Sequence, residues 1–227
     1  MEHMQQALME KLQPHTVFTI PLFGGIPVSD AVVVTWIIML ILAAASILLV
    51  RNLQTIPTGT QIAVEVVIGG INNFVKSIIG HEWKTFAPYL GTVALYLTIA
   101  NTISIFGFTP PTKDLNVTAA LSVMTMLIVI GAGIRFKGFG GWLKEFKEPI
   151  PIILPMKVLE MFVRPLSLAM RLFGNILGSF VIMELLYEVI PLAVPAILSL
   201  YFDIFDGLIQ MVVFIFLSTL FIKEAIE

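Results

Sequence analysis

Few residues of this chain can do chemistry, and most of those lie inside apolar runs. The segment SLAMRLFGN, residues 167–175, sets Arg171 in the middle of one. Placing a guanidinium in a bilayer costs roughly 2.5–3.5 kcal/mol on insertion scales. Arginine cannot shed its charge to escape that cost. Ser167, Arg171, Gly174, Asn175 and Gly178 recur at spacings of three and four, which is one face of a helix. That face is charged at one point and small around it, so another helix can approach closely. Two readings stay open. Arg171 is paired within the chain as a structural ion pair, or it is presented to a partner across a narrow gap.

A second stripe holds Asp203, Asp206 and Gln210, again at spacings of three and four. Gln210 is positioned to hydrogen-bond Arg171 across a hairpin if both lie at mid-depth. Glu184 lies roughly 20 Å past Arg171 along a helix axis and points to nearly the opposite face. Glu184, Asp203 and Asp206 can line an aqueous cavity open to the outside, although Asp206 also reads as a headgroup-level charge. Lys157, Glu160 and Arg164 border a second cavity, open inward, or form an ordinary wet helix end. Glu65 falls in the same layer. The pattern is two offset half-paths with a fixed cation between them. A continuous pore would leak ions. A fixed cation repels crossing cations and attracts a carboxylate carried on something that moves.

The elements that must position these residues are membrane helices. The chain is 58% hydrophobic and only 12% charged, where soluble domains are about 25% charged, and its mean hydropathy is +0.97. We expect one all-α integral membrane domain with helices over 31–52, 85–106, 117–135, 154–190 and 193–223, each near or above the roughly 20 residues of a crossing. The fourth is too long for a perpendicular crossing and must tilt. With the fifth it forms a long hairpin broken at Pro191 and Pro195. Residues 59–80 mix Gln61, Glu65, Asn72, Asn73 and Lys76 with aliphatics, the pattern of an interfacial amphipathic helix. Basic residues gather in the 51–84 and 135–149 loops. The positive-inside rule then puts residues 1–30 and the N-terminus outside and the C-terminus in the cytoplasm. Residues 1–30 lack a basic start followed by an apolar run, so no cleavage is expected.

With no cysteines and three scattered histidines, the sequence suggests no thiol chemistry and no metal site. No phosphate-cradling G-x-x-x-x-G-K-[ST] loop is present. No cofactor and no nucleic-acid partner are expected, only the lipid bilayer and protein.

RPLSLAMRLFGNILG (164–178) closely resembles the signature of the a subunit, or subunit 6, of the membrane sector of F-type ATP synthase. GFTPPTKDLNVTAAL (107–121), Gln210 in GLIQMVVFIFLSTLFI and the ending FIKEAIE support it. The resemblance runs in order from about Asp30 to the C-terminus. It implies a non-catalytic stator against which a ring of c subunits turns; the lack of an Arg-rich, Ser-rich presequence leaves a bacterial cell membrane, or an organelle-encoded chain, as its setting. Its partners would be that ring, the b subunits of the peripheral stalk and the rest of the ATP synthase. Arg171 would face the ring carboxylate, and Gly174 and Gly178 would be ring-facing. Asn175 and Gln210 would be polar companions near the two half-channels. Asp114 and Asn116 would belong to the outer entrance, and residues 59–80 would lie along the cytoplasmic surface. Two places depart from the family pattern. Phe180 stands where many relatives carry a glutamate, leaving Glu184 or Asp203 to supply the outer carboxylate. Lys157 stands where many carry an acid, three residues before the retained Glu160. The coupling ion, proton or sodium, stays open. A competing reading is a stand-alone secondary transporter with Arg171 binding an anionic substrate. It predicts repeats between the halves, and none is visible.

Overall fold

The computed structural model describes residues 16–20, 26–51, 53–57, 59–145, 154–189 and 198–227. They form an all-α membrane bundle in which five helices are long and apolar enough to cross a bilayer. A small hairpin precedes them, with β1 (Thr16–Ile20) antiparallel to β2 (Ile26–Ser29). The sequence reading assigns no structure to this region. Strands of five and four residues are too short for a period-two pattern to stand out.

Helix α1 (Asp30–Val50) has 21 residues, about 31 Å, the thickness of the hydrocarbon core. Only Ala31, Val34 and Ile38 are buried, and Val34 and Ile38 pack with Ala100 and Ile103. Leu40, Ile47 and Leu48 face outward. In water such a surface would drive aggregation, whereas in lipid it is the solvated face.

Helix α2 (Thr60–Ile79) stops at Gly80, whose φ of 78° a residue with a Cβ rarely adopts. A 3-10 turn (Gly80–Glu82) then leads into α3 (Trp83–Thr102). The two helices fold back on each other, with Val75 and Ile79 packed on Phe86, Ala87 and Leu90. Phe74 also reaches Phe216 in the last helix, ring centroids 6.4 Å apart. The polar residues Asn73 and Lys76 are exposed. Only the C-terminal part of its apolar side, Val75 and Ile79, is buried in the bundle; Ile62, Val66 and Val67 stay exposed.

Helix α4 (Leu115–Glu145) runs past the span read from the sequence. At Gly138 the backbone leaves helical space, with φ 72° and ψ 158°. A Cβ added at Gly133 would lie 3.0 Å from Trp142 Cδ1. In a straight helix those positions are about 13 Å apart along the axis, so the chain reverses at Gly138. Helix α5 (Leu154–Val189) has 36 residues, with Pro165 inside it. The last described segment opens with a π-helical turn (Leu200–Asp206) and continues as α6 (Gly207–Ile226). The core joins α3 to α6 through Val93, Leu97, Leu121, Leu172, Phe214 and Ile215. Buried hydroxyls are satisfied locally: Ser218 and Thr219 donate to the carbonyls of Phe214 and Ile215, at 2.7 and 2.6 Å. Lipid offers no alternative partner.

Candidate functional site

Helix α5 carries the site. Its buried side, Leu168, Ala169, Leu172 and Ile176, packs into the bundle. The opposite side exposes Phe162, Leu166 and Met170, and Arg171 stands among them, exposed. Ser167, Gly174 and Gly178 are exposed too, and a Cβ at either glycine would meet no atom within 4 Å. Among the described residues Arg171 has no hydrogen-bond or ion-pair partner. Among the described residues, then, the intrachain ion pair is not formed. The charge faces outward along a lane of small and apolar residues.

Gln210 is buried, 7% exposed, and makes no bond to Arg171 among the described residues, contrary to the bridge expected across the hairpin. Gln210 is inside the bundle, whereas Arg171 is exposed on its surface.

One turn beyond Arg171, Asn175 Nδ2 donates to Asp206 Oδ2 at 2.6 Å. Ser179, one turn further, donates to the Asn175 carbonyl at 3.0 Å, and its Oγ lies 3.4 Å from the same Asp206 oxygen. Asp206 is half-buried. Asn175 is therefore engaged with the last helix through Asp206. Behind it, Asn101 is 2% exposed and donates from Nδ2 to the Gly207 carbonyl at 3.0 Å. Thr112 in turn donates to Asn101 Oδ1 at 3.1 Å. Neither Asn101 nor Thr112 stood out in the sequence, since one Asn in an apolar helix carries no spacing signal.

The 110–114 turn closes this side. Asp114 caps α4, its Oδ1 accepting from the Asn116 amide at 2.9 Å, and its Oδ2 accepts from Ser29 Oγ at 3.3 Å. Asn116 itself is exposed. Lys113 Nζ lies 3.6 Å from the centroid of the Phe180 ring, a cation–π contact. Glu184 and Asp203 sit on helical backbone, and their side chains lie outside the described residues.

On the other side of Arg171, seven residues back and about 10 Å along the axis, Arg164 bridges two carboxylates. Its Nη2 reaches Glu160 Oε2 at 3.1 Å and Glu224 Oε1 at 2.7 Å. Lys157, Trp142 and Met161 join them around an open cleft. Lys157 and Glu160 are thus brought together. Glu65 is not with them: it accepts from Gln61 Nε2 at 2.7 Å on the exposed side of α2. Glu224 is the partner the sequence did not suggest, because it lies 60 residues from Arg164. The geometry is two separate polar clusters on α5, with a cation between them that has no partner among the described residues.

Comparison with known proteins bears on this arrangement. The family model for the ATP synthase A chain matches residues 32–223. The chain is 35% identical over 218 residues to the sodium ion specific ATP synthase subunit a of Propionigenium modestum, covering 89% of this chain and 75% of that protein. It is 36% identical over 221 residues to ATP synthase subunit a of Moorella thermoacetica, covering 96% and 99%.

Proposed function

This chain belongs to the ATP synthase A chain family, and from that premise we propose that it is the ion-translocating stator subunit of a rotary ATP synthase. It offers two offset half-channels to a moving ring of c subunits. The carrying observation is Arg171, exposed on a lane of small residues and unpaired among the described residues. A permanent cation presented outward at membrane depth is expensive and has use only if an anion comes to it.

Ions enter from the outer side past Asp114, Asn116, Glu184 and Asp203, and neutralise a carboxylate of the ring. When that carboxylate later meets Arg171, the positive charge favours its ionised form. The ion then leaves through the cleft of Lys157 and Glu160, with Glu65 nearby on the cytoplasmic side. Helix α2 lies along that surface. The Arg164 bridge holds the cleft residues in place. ATP chemistry belongs to partner subunits, and the b subunits of the stalk hold this chain against rotation. The N-terminus is outside and the C-terminus in the cytoplasm of a bacterial cell. The coupling ion is a proton or sodium; the relative named sodium ion specific supports testing both.

The test is ATP-driven ion uptake by the reconstituted whole complex carrying Arg171→Ala, with and without sodium and a protonophore. Uptake should vanish while ATP hydrolysis persists. Full uptake by the variant rejects the proposal.

A further inference from the structure

We infer that Asp206 is the fixed carboxylate that takes the coupling cation on the outer side of Arg171 and passes it to the moving partner. The inference rests on the stator reading above and names the residue that does the transfer in this chain.

Four observations carry it. The first is proximity. Asp206 Oδ2 is bonded to Asn175, which is one helical turn, about 6 Å along the axis, from Arg171. Glu160, Glu224 and Asp114 belong to other clusters. The second is the form of the contact. Asn175 donates to Oδ2, with Ser179 Oγ 3.4 Å from it, and no described residue donates to Oδ1. One oxygen fixes the group and the other is left to accept a cation.

The third is charge. Among the described residues no cation pairs with Asp206. An unpaired carboxylate within a membrane bundle marks an ion path far more often than a scaffold. The fourth is support from behind. Asp206 ends the π-helical turn, a distortion that is frequent at functional sites. The next residue, Gly207, is clamped through its carbonyl by Asn101, which Thr112 holds in turn. A Cβ at 207 would lie 2.9 Å from Asn101 Cβ, so only glycine lets the helices meet this closely. A buried polar chain therefore runs from Thr112 through Asn101 and Gly207 to Asp206 and Asn175. It joins the turn that holds Asp114 to the helix that holds Arg171. Asn101, Thr112 and Asn175 are positioning residues, and Asp206 is the group that touches the ion.

The step balances without another reactant. A proton arriving from the outer side forms an O–H bond at Oδ1. That bond breaks when the proton moves to the partner's carboxylate, and Asp206 returns to its ionised form. Sodium would take the proton's place at the same oxygen and leave in the same way.

The experiment uses the whole complex in membrane vesicles, normalised by membrane-bound ATP hydrolysis. Asp206→Asn should lower ATP-driven ion uptake about tenfold or more, and Asp206→Glu should recover part of it. A pH dye in sodium-free buffer, and sodium uptake with a protonophore, identify the ion affected. Because the chain has no cysteine, Asp206→Cys gives it a single thiol. That thiol should react with a cationic thiol reagent added to the outer face and not with the same reagent added to the cytoplasmic face. Wild-type uptake in Asp206→Asn, with none in Arg171→Ala, overturns the inference and leaves the stator reading standing. Full uptake in Arg171→Ala removes the stator reading itself. If the Asp206 variants do not assemble, Ser179→Ala and Thr112→Val decide. Both should raise the outer cation concentration needed for half-maximal ATP synthesis, and Thr112→Ser should restore it. No change in that concentration overturns the inference.

Discussion

Replacing Gly178 by leucine separates a lipid-facing lane from a protein-facing one. A side chain at 178 meets no atom of this chain within 4 Å, so the fold has no reason to resist it. Leucine in a helix is favoured over glycine by about 0.8–1 kcal/mol, so the isolated subunit should be unharmed or slightly more stable. The cost appears only if another helix uses the lane. Helices packed through small residues approach to about 8 Å, and larger side chains push them toward 10 Å. A separation of even about 1 Å misplaces reacting groups enough to cost roughly a hundredfold. Gly178→Leu should therefore abolish most ATP-driven ion uptake while the subunit still inserts. Met170→Leu is the control, since that position is large and 49% exposed already. Thermal melting of the purified subunit and uptake by the reconstituted complex are measured side by side. Normal uptake by Gly178→Leu would show that lipid alone faces the lane.

Gly207→Ala should destabilise by about 1–3 kcal/mol, because the new methyl meets the stem of Asn101 at 2.9 Å; chemical denaturation in detergent reads it, and a neutral result refutes the close approach. Gly138→Ala forces an unfavourable backbone, about 1–3 kcal/mol, and should release Trp142 from Gly133. With Trp36 and Trp83 replaced by Phe, its fluorescence should shift toward that of a water-exposed indole. Arg164→Ala breaks contacts to carboxylates that are 48% and 56% exposed, worth at most about 1 kcal/mol each. Assembly should hold while uptake falls; unchanged uptake would make the bridge merely structural.

The lane on α5 was legible in the sequence because helical spacing alone places Ser167, Arg171, Gly174 and Gly178 together. What spacing cannot show is whether a charged face finds a partner within its own chain, and Arg171 needed coordinates for that. The contact of Asp206 with Asn175 was hidden for a different reason. A π-helical turn spans 200–206, and a reading at 3.6 residues per turn drifts across it. Thus Asp206 and Gln210, read on one stripe, part company: Asp206 meets Asn175 while Gln210 is buried in the bundle. Trp142 was hidden by Gly138. A glycine in a basic loop gives no sign of whether the chain reverses there. Glu224 was hidden by distance along the chain, since its pairing depends on the register between α5 and α6.

The length of α5 has a consequence for time as well as space. Thirty-six residues make a rod of about 54 Å against a slab of about 30 Å, so the helix either tilts or extends past the slab. Arg164 and Asn175 are about 16 Å apart on that rod. Any inclination converts part of that separation into a sideways offset. Anything sliding past in the membrane plane meets the Asn175 end, Arg171 and the Arg164 end one after another. A slanted helix turns position along a chain into a schedule, and the order in which it is read sets the direction of travel.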